Sequence, residues 1–156
     1  MRVISDNPNQ TQLAGMALGR LLQPGDLICL SGGLGAGKTC LAAAIGRGWG
    51  AQPPLTSPTF TLVHEHGRNS DDGVLFHIDC YRLCDALDAM QAGLEDALSG
   101  QGPALIEWPE RMRQALPRER LWVSLEILGP ARRCIWLKAR GKRHECLLQA
   151  FQVKTL

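Results

Sequence analysis

Eight consecutive residues, Gly32 to Thr39, combine glycine, lysine and hydroxyl groups at a spacing that can hold phosphate. They read Gly-Gly-Leu-Gly-Ala-Gly-Lys-Thr and match the pattern G-x-x-x-x-G-K-[ST] in full. The glycines let the backbone curl around a polyphosphate with successive N–H groups directed inward. Lys38 can then reach the β- and γ-phosphates, and the Thr39 hydroxyl can ligate Mg²⁺. The pattern therefore predicts a site for a nucleoside triphosphate with magnesium.

The segments on either side of this loop have the composition that a phosphate-binding loop requires. Asp26 to Leu30 form a short apolar strand candidate, and the Ala-rich stretch Cys40 to Arg47 predicts a helix. A helix that begins directly after the loop directs its positive N-terminus at a bound anion. The alternative is a merely Gly-rich turn, which the strand–loop–helix context disfavours.

Two acids stand at the ends of apolar strand candidates, where the metal side of a nucleotide site is commonly built. Asp79 follows 74–78, and Glu107 follows 104–106. In a parallel sheet both would project toward the loop, so that one can coordinate Mg²⁺ while the other acts through water or orients the nucleophile. Strands also end in ordinary polar residues, but two such acids in one chain favour the functional interpretation.

Two further segments could sense or contact a phosphate. The loop Thr56-Ser57-Pro58-Thr59 carries three hydroxyls and a proline restraint, where a γ-phosphate switch or a plain turn would fit equally well. Arg82 follows the candidate metal ligand Asp79 closely. It can contact phosphate or pair with Asp85.

The composition of the chain is that of one soluble globular domain. It has 156 residues, of which 45% are hydrophobic and 21% charged. No apolar run approaches the ~20 residues of a membrane span, and the first residues lack a signal-peptide core, so we expect a cytoplasmic protein. The six cysteines form no C-x-x-C pair, which favours buried or incidental thiols over a zinc site.

The net charge of +2 is unevenly distributed along the chain. Residues 1–100 carry six Lys and Arg against ten Asp and Glu, whereas residues 101–156 carry eleven against five. A basic end can meet RNA or an acidic partner, or it can simply be a solvated surface. Aromatic residues make up only 5% and show no stacking-platform pattern, which argues against a dedicated single-strand binder.

Apolar periodicity predicts helices that alternate with strands through most of the chain. The predicted helices are 11–22 with Thr11 as N-cap, 38–49, 84–98 with a break near Gly93, a short one opened by Pro109, and a terminal one from Gly141. The predicted strands are 26–31, 60–65, 74–79, 103–108, 121–128 and 134–139, with a polar turn at 67–73. We expect a single α/β domain over residues 1–156. Its sheet should be largely parallel, with an antiparallel pair at the end.

Four motifs in this order resemble one known family. They are Gly32–Thr39, Ser57-Pro58-Thr59-Phe60-Thr61-Leu62-Val63, His77-Ile78-Asp79-Cys80-Tyr81-Arg82-Leu83 and Ile106-Glu107-Trp108-Pro109-Glu110-Arg111. Over nearly the whole chain, this sequence resembles the bacterial TsaE family. The resemblance implies a P-loop NTPase sandwich with a largely parallel central sheet, some antiparallel strands and helices on both faces. It also implies a slow Mg²⁺-dependent ATPase in threonylcarbamoyl modification of the tRNA adenosine beside the anticodon.

The resemblance further implies partners and residue roles. The partners would be TsaD and TsaB, with tRNA touched indirectly or weakly and neither membrane nor DNA involved. The catalytic residues would be Lys38, Asp79 and Glu107, and the metal would be held by Thr39, Glu107 and Asp79, the last directly or through water. The nucleotide would meet Thr11, Gly35, Ala36, Gly37, Lys38, Thr39, Cys40 and Arg132. The switch residues would be Ser57, Thr59, Thr61 and Arg82.

One position departs from the family pattern, and two other functions remain open. The family commonly has Asp where this chain has Gly33, which leaves the role of that carboxylate unfilled.

A small-molecule kinase could use the same loop, although its Arg-rich lid would have to be the short stretch Arg111 to Arg120. A scaffold whose nucleotide binding, rather than turnover, drives assembly is the third interpretation.

Overall fold

The computed structural model describes residues 1–56, 62–83 and 94–155, with side chains described as far as Gln152. Its strands are β1 (Arg2–Ser5), β2 (Leu27–Gly32), β3 (Ala51–Gln52), β4 (Val63–Arg68), β5 (Asp71–Asp79), β6 (Ala104–Glu107), β7 (Arg120–Ile127) and β8 (Arg133–Arg140). Its helices are α1 (Pro8–Gly19), α2 (Lys38–Trp49), α3 (Leu94–Ala97) and α4 (Lys142–Thr155), with a 3₁₀ helix at Pro109–Met112.

All eight strands join one mixed sheet in the order β1-β8-β7-β2-β6-β5-β4-β3. The four central strands, β7, β2, β6 and β5, are parallel to one another. The outer pairs, β1–β8, β7–β8, β4–β5 and β3–β4, are antiparallel. The predicted α/β class, with a largely parallel centre and some antiparallel strands, is confirmed. The antiparallel β4–β5 hairpin was not predicted.

Apolar layers pack on both faces of the sheet. On one face, residues of α1, α2 and α4 such as Leu18, Ile45 and Phe151 join the inner side chains of β2, β7 and β8. On the other face, α3 and the 3₁₀ helix contribute Leu94 and Met112 to a second cluster over β2, β5 and β6. None of the helices that the structure describes is long and apolar enough to cross a bilayer.

Small residues let α1 and α2 pack in backbone contact. A Cβ at Gly19 would lie 2.0 Å from the Ile45 carbonyl oxygen, and one at Gly48 would lie 2.2 Å from that of Met16. Real Cβ atoms do not approach that closely, so any larger residue at either position would push the helices apart. This contact fixes α2, whose first turn carries Lys38 and Thr39.

The N-terminus of α1 differs from the prediction. The helix begins at Pro8, and its cap is Asn7, whose side chain accepts a hydrogen bond from the Gln10 N–H at 3.0 Å. Asn at the cap and Pro in the first turn are both strong start signals, and together they override Thr11. Thr11 is instead buried in the first turn, with its hydroxyl 2.7 Å from that of Ser5.

Other element bounds also differ from expectation. Strand β1, which pairs with β8, was not predicted. The predicted turn at 67–73 shrinks to the two residues between β4 and β5, where the Arg68 guanidinium and the Asp71 carboxylate pair at 2.6 Å. Strand β4 begins at Val63. The start of the predicted strand 60–65 and most of the predicted helix 84–98 lie outside the described residues.

Candidate functional site

The loop from Gly32 to Thr39 joins the end of β2 to the start of α2, as its sequence requires. Gly37 caps α2 with φ 102°, and Gly35 has φ 74°; both values favour glycine because a side chain there would be strained. The twelve-residue helix α2 then begins at Lys38, so its positive end lies at the loop. Backbone conformation and helix position thus provide a cradle for an anion.

A cavity of about 340 Å³ opens against this loop. Its walls come from the loop itself and from the carboxyl ends of β5 and β6, the place where parallel sheets carry their ligands. The lining residues are Leu34, Gly35, Gly37, Lys38, Thr39, Cys40, Asp79, Tyr81, Glu107 and Trp108. The structure therefore brings Lys38, Thr39, Asp79 and Glu107 to one cavity.

Lys38 is held at the cavity by the loop's own backbone. Its Nζ donates to the carbonyl oxygens of Gly32 at 2.7 Å and Gly33 at 2.9 Å, and it lies 3.7 Å from the centre of the Trp108 ring. Burial lowers the pKa of Lys38, while nearby Glu107 and other carboxylates oppose that shift. The result is a positioned cation beside the phosphate cradle.

Glu107 connects the phosphate loop to the neighbouring strand. Its Oε2 accepts a hydrogen bond from the Thr39 hydroxyl at 2.9 Å, and its Oε1 lies 2.9 Å from Nε2 of His77. Glu107 and His77 are both buried, which excludes water from the contact between them. The imidazole therefore fixes one carboxylate oxygen and leaves the other directed at Thr39.

Asp79 and Glu107 are direct partners in the parallel register of β5 and β6. Asp79 is half-buried, and its Oδ1 accepts the N–H of Tyr81 at 3.0 Å. A threonine hydroxyl and two carboxylates are hard oxygen donors of the kind Mg²⁺ selects, and Mg²⁺ usually retains waters rather than a full protein cage. The donor set fits magnesium. Among the described residues, no group of three His, Cys, Asp or Glu could hold another metal.

Trp108 follows Glu107 in an unusual backbone conformation. Its φ of 57° and ψ of 47° lie in the left-handed region, which costs a non-glycine residue about 1–3 kcal/mol. The turn places the indole beside Lys38 and the Tyr81 ring, whose centre lies 5.0 Å away. The strain is thus located where two aromatic rings form one wall of the cavity.

Thr11 and Arg132, predicted near the nucleotide, do not line the cavity. The Arg132 guanidinium pairs with Asp6 at 2.8 Å on an exposed surface. Its neighbour Arg133 contacts the loop instead, with Nε donating to the Ala36 carbonyl at 3.0 Å. The sequence carried no local signal for Arg133, because the contact depends on how β8 lies against the loop.

The predicted switch residues are mostly outside the part of the chain that is described. Ser57, Thr59 and Thr61 fall in 57–61, and Asp85, the alternative partner of Arg82, falls in 84–93. Arg82 itself is exposed.

The described cysteines are free thiols. Burial raises the pKa of Cys29 and of Cys80 to about 12, so both stay protonated at neutral pH. Cys134 is also buried, whereas Cys40 and Cys146 are exposed.

A family model, curated relatives and a solved structure all point to the same family. Residues 5–135 match the family model described as Threonylcarbamoyl adenosine biosynthesis protein TsaE. A protein of Treponema pallidum (strain Nichols), named tRNA threonylcarbamoyladenosine biosynthesis protein TsaE, is 39% identical over 134 residues, or 85% of this chain and 96% of the relative. A protein of the same name from Bacillus subtilis (strain 168) is 36% identical over 145 residues, or 92% and 88%. The crystal structure of Bacillus subtilis YdiB has a TM-score of 0.81 and 30% identity, and the match covers 100% of this chain and 96% of that one.

Proposed function

This chain belongs to the TsaE family, and on that premise we propose that it is a Mg²⁺-dependent ATPase required for threonylcarbamoyl modification of the tRNA adenosine beside the anticodon. One observation carries the proposal. The hydroxyl of Thr39, the last residue of the phosphate loop, donates to Glu107, the acid that ends the neighbouring parallel strand. This contact joins the phosphate side of the cavity to its metal side.

The polar groups of the cavity then have chemical tasks in ATP hydrolysis. The loop amides and Lys38 bind the β- and γ-phosphates, and Lys38 offsets the negative charge that develops on them. Thr39 and Glu107 would hold Mg²⁺, which would supply Lewis-acid neutralisation of the phosphate charge. Asp79, beside Glu107 on the next strand, would orient the attacking water. Arg133 braces the loop from outside through the Ala36 carbonyl.

The free energy of ATP hydrolysis by this chain would support a reaction that takes place on other proteins. A cavity of about 340 Å³ is the size of a small-ligand site, and the phosphate loop and its acids line it. We propose that TsaD and TsaB carry the transfer step in the cytoplasm and that this chain drives their cycle. The names of the relatives support the pathway.

The hydroxyls of Ser57, Thr59 and Thr61 are proposed as a switch that responds to the γ-phosphate. Hydrogen exchange over this segment, compared between a non-hydrolysable ATP analogue and ADP in the presence of Mg²⁺, is the test. We expect stronger protection with the analogue, because the hydroxyls would be engaged only while the γ-phosphate is present. Equal protection in both states would contradict a switch.

Phosphate release and nucleotide binding test the ATPase. We expect purified protein to release phosphate from ATP slowly, with Mg²⁺ but not with excess EDTA. Lys38→Ala should lower turnover roughly 10²–10³-fold, the typical loss when one transition-state contact is removed. Circular dichroism confirms that the variant is folded. Unchanged turnover in folded Lys38→Ala would remove the loop from the mechanism, and ADP formation that requires an added acceptor, without phosphate release, would indicate a kinase.

A further inference from the structure

The sheet carries an open face that combines basic and aromatic side chains. Strands β7 and β8 direct Leu121, Val123 and Leu137 toward the core beneath α1, α2 and α4. The alternate residues of the same strands point to the opposite side of the sheet. Over β2, β5 and β6 that side is covered by α3 and the 3₁₀ helix. Toward β8 and β1, Arg2, Trp136, Lys138 and Arg140 are exposed on that side, Trp136 to 47%, whereas Cys134 is buried.

Strand pairing gathers these alternate residues into one patch. Trp122 is paired with Lys138, Arg120 with Arg140, and Trp136 with Arg2 on its other side. In antiparallel strands, Trp122 and Trp136 are then diagonal neighbours, about 7–8 Å apart. We call this set the basic–aromatic face: Arg2, Arg113, Arg120, Trp122, Trp136, Lys138 and Arg140.

Arginine side chains lie over both indole rings of this face. The Arg2 guanidinium carbon is 5.5 Å from the Trp136 ring centre. Those of Arg113 and Arg120 lie 5.5 Å and 5.7 Å from the Trp122 ring. Cation–π contact at this distance holds the flexible arginine side chains close to the rings. Among the alternate positions of β7, β8 and β1 on this side, one residue, Glu126, carries a carboxylate. Four carry a positive charge, so the face is positive: Arg2, Arg120, Lys138 and Arg140.

We propose that the basic–aromatic face binds RNA directly, at a segment whose bases are unpaired. Arginine and lysine at this density match a phosphodiester backbone, and an exposed ring on a β-sheet surface provides a plane on which an unstacked base can lie. A partner with an acidic surface but no bases would use the charges and leave the exposed Trp136 ring without a contact. Trp122, by contrast, is already packed against the second apolar cluster. The choice of RNA over DNA rests on the proposed tRNA function. The proposed contacts, which are charge pairing with phosphates and stacking on a ring, rest on the face itself and not on that function.

Fluorescence anisotropy with a labelled, unstructured RNA oligonucleotide tests this proposal without ATP. Trp136→Ala should raise the dissociation constant roughly 5- to 150-fold, the loss of one stacked base at about 1–3 kcal/mol. Its affinity for heparin, a polyanion without bases, should stay unchanged. Lys138→Glu should weaken both ligands and lower the salt slope of RNA binding by about 0.7. Arg47→Glu, an equal charge change at an exposed position of α2 on the other side of the sheet, should affect neither.

Thermal melting checks that each variant is folded. A second variant, Trp136→Leu, keeps an apolar side chain over the sheet and removes the aromatic plane. It should lose RNA affinity as Trp136→Ala does. Full RNA affinity in Trp136→Leu, or a parallel loss of heparin binding in Trp136→Ala, would overturn the proposal. Wild-type protein that hydrolyses ATP but binds no RNA would also refute it and leave the ATPase standing. Protection of the face from hydrogen exchange by TsaD or TsaB would then identify a protein interface.

Discussion

The two carboxylates of the cavity make different contacts, although they are neighbours in the sheet. Glu107 is buried and bonded to Thr39 and His77, whereas the described contact of half-buried Asp79 is with the backbone N–H of Tyr81. We expect a carboxylate in contact with the Thr39 hydroxyl, which we propose as a metal ligand, to hold Mg²⁺ directly. A half-buried one beside it suits a role through water.

The difference between the two acids predicts unequal magnesium dependence. We expect Glu107→Gln to raise the Mg²⁺ concentration needed for half-maximal ATPase activity about 10- to 100-fold, and Asp79→Asn to raise it less while lowering the maximal rate. Both changes preserve side-chain shape. Titration of Mg²⁺ against phosphate release for the two variants is the measurement, and the opposite order would exchange the assigned roles.

Gly33 can accept the aspartate that is common in the family. A Cβ there meets nothing within 4 Å, and its φ lies outside the left-handed range. Gly33→Asp should therefore keep or raise the free energy of unfolding, by up to about 1 kcal/mol, because a glycine is removed from the unfolded chain. At Gly32, with φ of 145° and a Cβ position 2.6 Å from the Leu125 carbonyl oxygen, the same change should destabilise. Chemical denaturation compares them, and equal losses would contradict the steric account.

The residues that the sequence placed correctly in one cavity belong to local patterns. Lys38 and Thr39 follow from the loop's spacing, and Asp79 and Glu107 follow from their position after apolar strands. The His77–Glu107 contact depends on the pairing of β5 with β6, which no local pattern encodes. The contact of Arg133 with the loop was not predicted, for the same reason.

At the scale of elements, α4 is attached to the sheet through its first turn. Nε2 of His144 accepts the Leu27 N–H at 3.0 Å, and the Arg143 guanidinium pairs with the buried Asp26 carboxylate at 2.6 Å. Only an unprotonated imidazole nitrogen can accept that hydrogen bond. Burial lowers the pKa of His144, and Arg143 adds to this effect, while Asp26 and Glu119 oppose it.

This attachment predicts a loss of stability in mild acid. A histidine whose folded pKa is lowered binds a proton first in the unfolded state, so its contribution is full above the unfolded pKa of about 6.5 and falls as pH decreases below it. His66, whose pKa burial also lowers, adds to the same trend. His144→Gln keeps an acceptor without the titration. Its free energy of unfolding should change less than the wild type's between pH 7 and pH 5, and identical slopes would contradict this assignment.

The order of the strands in the sheet determines which strands and surfaces could be predicted from the sequence. The alternating apolar pattern of β7 and β8 predicted the hairpin, but β1 was missed because it is four residues long and lies at the edge. The basic–aromatic face was missed with it. Trp122 and Trp136 are fourteen positions apart in the chain and become neighbours only through the pairing of β7 with β8. A search for a stacking pattern along the sequence could not detect them.

At the scale of the whole molecule, one sheet carries both proposed sites. The phosphate loop begins at the end of β2, where Gly32 pairs with Leu125 of β7, and Trp122 of the basic–aromatic face lies three residues earlier on β7. If both proposals hold, a small protein that combines an ATP site with a surface for RNA is suited to act on a larger assembly. Its turnover should therefore depend on that assembly.

The rate of ATP turnover, measured alone and with TsaD, TsaB and tRNA, tests the central claim most directly. No Gln or Arg lines the described cavity to orient water or stabilise the γ-phosphate. A group supplied in trans can raise P-loop turnover by about 10³–10⁵-fold. We predict slow hydrolysis by the isolated chain, strong stimulation by the complete mixture, and loss of both stimulation and threonylcarbamoyladenosine formation with Lys38→Ala. Fast turnover by the isolated chain that the partners and tRNA leave unchanged would contradict the account.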